Sequence, residues 1–158
     1  MIELPAIPSG TNILGVGIDQ IEVSRIQDSI DRNGDHFLNK IFSPNEQKYC
    51  KSKSNPAPFF AARFAAKEAM SKAFGTGFGK EFGWLDAEVA HGSLGEPILK
   101  LSKNVEGMMK EKGATKALVS LTHLNDIASS IVLFTSSWAI FPEIQFYPAP
   151  KHLHLNPN

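Results

Sequence analysis

Asp19 follows two glycines in "GVGID", and Glu68 and Lys72 stand one helical turn apart in "FAARFAAKEAMSK". Two carboxylates can hold a hard divalent cation. At about 100° per residue Glu68 falls between the directions of Phe64 and Ala65, beside the apolar side of its helix. An unpartnered carboxylate there would lose on the order of several kcal/mol of hydration. One available partner is Lys72 at i+4, worth about 0.2–0.5 kcal/mol on an exposed surface. The other is a cation shared with a second carboxylate from elsewhere in the chain. Asp19 can supply it, because Gly15 and Gly17 leave its strand face bare, which suits either a ligand or a closely packed helix. Asp19 could also cap the helix that follows, with Glu22 three residues on.

Two further stretches carry possible chemistry. In "GTGFGK" Gly75 is placed to cap the long helix, yet Gly77, Gly79 and Lys80 follow at once, and bare amides beside a lysine can cradle phosphate oxygens. The stretch is not a Walker A loop, since it follows a helix and lacks the G-K-[ST] ending, and "GVGID" is not a dinucleotide fingerprint. "SLTH", residues 120–123, closes an apolar strand, where His123 reads first as a structural histidine. Without G-x-S-x-G, Ser120 does not indicate a serine hydrolase.

The elements that must position these residues follow from periodicity. A strand is expected over 12–18, with Leu14, Val16 and Ile18 on one face and Gly15, Gly17 and Asp19 on the other. A helix over 23–33 stops at Asn33-Gly34. Ser43, Pro44 and Glu46 read as an N-cap with proline at the first helical position, and a long helix runs from 58 or 59 to 74. Strands over 84–90 and 97–101 flank a turn at 91–95, a helix over 102–112 ends at Gly113, and strands cover 116–121 and 127–134. This order does not alternate as a doubly wound sheet does. It implies an α+β fold, a small antiparallel sheet packed around a long central helix.

Composition sets the frame. The 158 residues, 42% hydrophobic and 20% charged, suit one domain with a real core. Residues 1–135 form that domain and 136–158, rich in proline, aromatic and histidine residues, a C-terminal extension. The single cysteine, Cys50, excludes an internal disulfide framework and, with no basic or long apolar leader in "MIELPAIPSGTN", points to a soluble cytoplasmic protein without membrane attachment. Net charge is zero, yet residues 40–80 hold eight Lys or Arg against two Glu. Such a stripe is either a solvated helix face or a surface for phosphates or an acidic partner. Nucleic acid is not expected, because the chain as a whole is not basic. In the tail, Trp138, Phe141, Phe146 and Tyr147 are expected to pack on the body. His152 and His154 lack further ligands for a metal.

"GVGIDQIEVSRI", "FAARFAAKEAMSKAFGTG" and "SLTH" followed by a strand together resemble the small holo-acyl-carrier-protein synthases, a class of 4'-phosphopantetheinyl transferases, over residues 13–134. The resemblance implies that family's fold and a Mg2+-dependent transfer of 4'-phosphopantetheine from coenzyme A to a serine of apo acyl carrier protein in fatty acid biosynthesis, releasing adenosine 3',5'-bisphosphate. It implies that Asp19 and Glu68 hold the metal, that Lys72 lies near the diphosphate, and that these three are catalytic. It further implies that Arg63, Lys72, Gly75, Thr76, Gly77 and His123 hold coenzyme A, that Arg25 meets the acidic carrier protein, and that the chain forms a homotrimer with sites at subunit boundaries. Glu22 and a water molecule are both candidates for general base. The residues before 12 and the tail from 136 have no counterpart in the resemblance, and 43–53 follows it loosely. A Mg2+-dependent hydrolase of coenzyme A-like diphosphates and a non-catalytic binding module are the alternatives.

Overall fold

The computed structural model describes residues 11–137. In chain order these are β1 (Thr11–Glu22), α1 (Val23–Ile41), α2 (Pro44–Lys51), α3 (Ala57–Phe74), a 3-10 turn (Trp84–Asp86), β2 (Ala87–His91), β3 (Pro97–Leu101), α4 (Lys103–Glu111), β4 (Lys116–His123) and β5 (Ile127–Ser137). β1, β5 and β4 form an antiparallel sheet in that order, and β2 and β3 a separate antiparallel hairpin. The expected α+β arrangement around a long helix is present.

That helix is α3. Its Ala61, Ala62, Ala65, Ala66 and Ala69 are fully buried, and their small side chains let the sheet, α1, α2 and β2 close on it from several sides. A helix apolar nearly all round belongs in an interior. β1 comes closest. A Cβ built on Gly17 would stand 1.8 Å from the Ala69 carbonyl oxygen, and one on Gly15 2.6 Å from that of Ala73. The bare face of β1 therefore serves a tightly packed helix, and the opposite face turns outward, with Val16 58% and Ile18 66% exposed.

Several boundaries differ from the expected ones. β1 continues past Asp19 because its pairing with β5 persists to Glu22 opposite Ile127, so Asp19 lies within the strand. Nor does Asp19 cap α1. Glu22 occupies the N-cap position without a side-chain cap, and the Val23 N–H donates to the Asp126 carbonyl at 2.8 Å instead. Asn33-Gly34 interrupts α1 rather than ending it: Gly34 has φ 50° and ψ −132°, after which the helix resumes to Ile41 and buries Leu38 and Ile41 in the core. Residues 84–86 form a 3-10 turn, in which the Asp86 carboxylate accepts from the Gly83 N–H at 2.8 Å, and the strand starts only at Ala87. The cap before α2 is as expected. Ser43 Oγ accepts from the Glu46 N–H and Glu46 Oε2 from the Ser43 N–H. Among the described residues no helix is long and apolar enough to cross a membrane. The tail aromatics and histidines, Trp138 to His154, lie outside the described residues.

Candidate active site

The close approach of β1 to α3 brings Asp19 beside the helix turn that carries Glu68 and Lys72. Lys72 Nζ donates to Asp19 Oδ1 at 2.7 Å and to the Ile18 carbonyl at 3.1 Å. Of the two partners open to Glu68, the i,i+4 pair is not formed: Lys72 is bonded to Asp19, and Glu68 has no ion pair among the described residues. Glu68 is half-buried. Burial pushes its carboxyl up from the ordinary value, the negative charge of Asp19 adds to that, and Lys72 opposes both. Two carboxylates thus repel each other across the β1–α3 seam, and one ammonium only partly relieves them. A bound cation would stabilise both charged forms. Among the described residues no third His, Cys, Asp or Glu joins them. Such a set fits Mg2+, which is commonly held by one or two carboxylates with water and substrate phosphate completing the shell.

Beyond Lys72 the helix ends in the glycine loop. Gly75 is left-handed at φ 76°, and its N–H is spent on the Ser71 and Lys72 carbonyls, so it acts as the helix cap. Gly77 is also left-handed at φ 69°. Gly75, Thr76 and Gly77 are exposed one turn past Lys72, with no atom near a Cβ built on either glycine. Phe78 then stacks on Trp84 with centroids 3.6 Å apart, fixing the far side of the loop.

Arg63 lies elsewhere on the helix. Five residues separate it from Glu68, which is about 140° around the axis and about 7.5 Å along it. The structure brings Arg63 together with His123 instead, in a cavity of ≈ 180 Å³ that Tyr49, Phe59 and His91 also line. Arg63 is 2% exposed, and its guanidinium lies over the Tyr49 ring at 4.3 Å. Its Nη1 donates to the Phe59 carbonyl at 3.2 Å, its Nη2 lies 3.4 Å from His91 Nε2, and its Nε has no partner among the described residues. His123 is half-buried at the end of β4, its ring edge-on to Phe59 at 4.5 Å. The site residues therefore fall into two groups on different sides of α3. Arg25 is in neither; it is exposed on α1.

The sequence reading did not single out Lys67, Tyr49 or His91, and it read Glu46 only as part of the cap before α2. Lys67 Nζ is fully buried and donates to the Ile41 and Trp84 carbonyls at 2.8 and 2.7 Å and to Glu46 Oε2 at 3.0 Å, while Glu46 Oε1 accepts from the Val89 N–H at 3.0 Å. One ammonium thus ties α1, α2 and the 3-10 turn to α3 next to Glu68. Burial pulls its pKa down, against the charge of Glu46. A lysine inside a helix apolar all round was itself a signal, since a buried charge requires a partner. Tyr49 and His91 had no such signal. Cys50, with its thiol pushed up to about 12 by burial, is an inert core residue.

Known proteins resemble this chain in sequence and in fold. Residues 15–132 match the family model of the 4'-phosphopantetheinyl transferase superfamily. The holo-[acyl-carrier-protein] synthase of Trichlorobacter lovleyi is 45% identical over 111 residues, which cover 70% of this chain and 88% of that protein. The crystal structure of the holo-[acyl-carrier-protein] synthase of Neisseria meningitidis matches with a TM-score of 0.72 at 28% identity, over 78% of this chain and 98% of that one. A holo-(acyl-carrier-protein) synthase of Bacillus anthracis, solved in complex with coenzyme A (3',5'-ADP), matches with a TM-score of 0.66 at 38% identity, over 79% and 98%. With three quarters of its length shared at this similarity, the chain belongs to the 4'-phosphopantetheinyl transferase superfamily, among the holo-[acyl-carrier-protein] synthases.

Proposed function

We propose that this protein transfers the 4'-phosphopantetheine group of coenzyme A to a serine of apo acyl carrier protein and releases adenosine 3',5'-bisphosphate. The juxtaposition of Asp19, Glu68 and Lys72 carries the reading. In the reaction the serine oxygen bonds to the phosphorus next to pantetheine as the bond from that phosphorus to the bridging oxygen breaks, and the bridging oxygen leaves with adenosine 3',5'-bisphosphate. Asp19 and Glu68 would hold Mg2+, which supplies charge neutralisation at the diphosphate oxygens. Lys72 Nζ, 51% exposed at its side chain, can leave Asp19 for the departing phosphate and stabilise its charge. Arg63 and His123 would hold the nucleotide end of coenzyme A, and the exposed backbone at Gly75, Thr76 and Gly77 would lie along its diphosphate. Arg25 would meet the acidic carrier protein. Glu22 and a water molecule remain the candidates for taking the serine proton.

The two groups of residues need not act on one copy of the chain. The outer face of the sheet, with Ile13, Val16 and Ile18 more than half exposed beside Leu118 and Ile131, is an apolar surface of the kind that another copy covers. It supports a homotrimer with sites at the boundaries. We assign the protein to fatty acid biosynthesis in the cytoplasm, with residues 1–135 as the transferase domain and 136–158 as an extension. Glu68→Ala tests the assignment. The variant should melt at the parent's temperature or above it, since a repelled half-buried carboxylate is removed, yet lose transfer to apo carrier protein. Parental turnover would overturn the metal assignment.

A further inference from the structure

The cavity around Arg63 has a charge imbalance that its protein contacts leave unanswered. Its lining includes one arginine and two histidines and no carboxylate, and Lys53 adds a second cation, its Nζ 4.3 Å from the Tyr49 ring centre. A buried guanidinium ordinarily has an anionic partner. Here Arg63 has a backbone carbonyl, an imidazole and an aromatic face, and its Nε has no partner among the described residues. Because an arginine N–H can only donate, His91 Nε2 is the acceptor of that contact, so the imidazole is neutral and its proton sits on the other nitrogen.

His91 stands at the exposed end of β2, and the groups that face it from the cavity side favour that neutral form. Its ring lies tilted against Tyr49 of α2, with centroids 4.2 Å apart. Arg63 of α3 faces it directly, Lys53 lies just beyond α2, and His123 of β4 lines the same cavity. The nearby carboxylate of its own hairpin, Glu96, is turned to the hairpin backbone, accepting from the Leu94 N–H at 2.9 Å. Burial, then Arg63, then Lys53 hold the imidazole below its ordinary value. A dianion entering the cavity reverses this balance. It offsets the two cations and offers oxygens both to Arg63 Nη2 and to an imidazolium N–H.

We propose that His91 is a proton-linked ligand for the 3'-phosphate of coenzyme A: as the monoester dianion enters, His91 Nε2 releases Arg63, takes a proton from solvent and donates it in a hydrogen bond to the phosphate. The inference rests on the function proposed above, in which the diphosphate goes to Asp19, Glu68 and Lys72. The 3'-phosphate is then the remaining anion of coenzyme A for a cavity without carboxylates. His91 thereby sets the preference for coenzyme A over its 3'-dephospho form, and that preference weakens as pH rises.

Calorimetric titration of the full chain with coenzyme A and with 3'-dephospho-coenzyme A, in two buffers of different ionisation heat at neutral pH, reads both affinity and proton uptake. The parent should take up more protons with coenzyme A than with the dephospho form. His91→Gln, at an exposed hairpin position, should lose that excess and about ten-fold of the preference, the range for a charge-assisted hydrogen bond. His91→Lys, a fixed cation, should keep the preference without the excess uptake. If His91→Gln retains the parent's preference and proton count, the inference is wrong while the proposed function stands. If the parent binds neither nucleotide, the proposed function fails and takes the inference with it.

Discussion

Gly17→Ala should damage the protein at the point where fold and site are joined. A Cβ at Gly17 would lie 1.8 Å from the Ala69 carbonyl oxygen and 2.7 Å from the Ala73 nitrogen, whereas real Cβ contacts essentially never fall below 3.0 Å. Both obstacles are backbone of α3, which no rotamer change can move, so β1 and the helix must separate by about 1.2 Å merely to reach that limit. Overpacking of this kind costs about 3 kcal/mol, a fall of about 10 °C in melting temperature for a domain of this size. Asp19 follows Gly17 by two residues on the same strand face, while Glu68 and Lys72 ride on α3, so the same separation widens the site. Misplacing reacting groups by about 1 Å can lower turnover by about 100-fold. Gly107→Ala is the control. Gly107 lies inside α4 with nothing within 4 Å of a built Cβ, and the change should stabilise by about 0.5–1 kcal/mol. Thermal melts and transfer rates of both variants measure the two effects. A Gly17→Ala protein that melts and turns over like the parent would refute the account of β1 packing.

Other expectations follow from the charged groups. Lys67→Ala strips the cation from fully buried Glu46 and should cost about 3–5 kcal/mol in urea unfolding, whereas Lys67→Met combined with Glu46→Gln should recover much of the loss; equal losses in both would contradict the pairing. Glu88 accepts from Ser43 Oγ at 2.6 Å and pairs with Lys100 at 3.7 Å. Burial alone would raise its carboxyl, but the Ser43 and Asn45 hydrogen bonds and the Lys100 charge outweigh it and hold the pKa below the ordinary 4.5. Its stabilisation is therefore complete above pH 4.5 and is lost as pH falls through the lowered value. The melting gap between parent and Glu88→Gln should accordingly close in acid, and a gap independent of pH would count against it. Arg25→Glu should raise the apparent KM for carrier protein by about ten-fold and leave that for coenzyme A unchanged; the reverse pattern would remove Arg25 from the carrier surface.

Much of the site could be read from the chain because its signals are local. Glu68 and Lys72 share a helix turn, and Asp19 stands on a strand whose glycines announce a close approach. What the sequence left open was the partner of Glu68, Lys72 at i+4 or a cation shared with Asp19, and the strand–helix contact instead gives Lys72 to Asp19 at 2.7 Å. The same limit explains the boundaries. Asn33-Gly34 is a sound local stop, but the core placed under Leu38 and Ile41 restarts the helix after one left-handed residue. Pairing with β5 likewise carries β1 beyond Asp19. Tyr49, Arg63 and His91 come from α2, α3 and β2, and no periodicity in one segment reports a cavity assembled from three.

The most direct test of the whole account is the intact mass of apo acyl carrier protein after incubation with the protein, coenzyme A and Mg2+, alongside a reaction containing EDTA. The account predicts that the carrier gains one phosphopantetheine group and that EDTA prevents the gain. A carrier of unchanged mass while coenzyme A is consumed, or a gain that persists in EDTA, would contradict it.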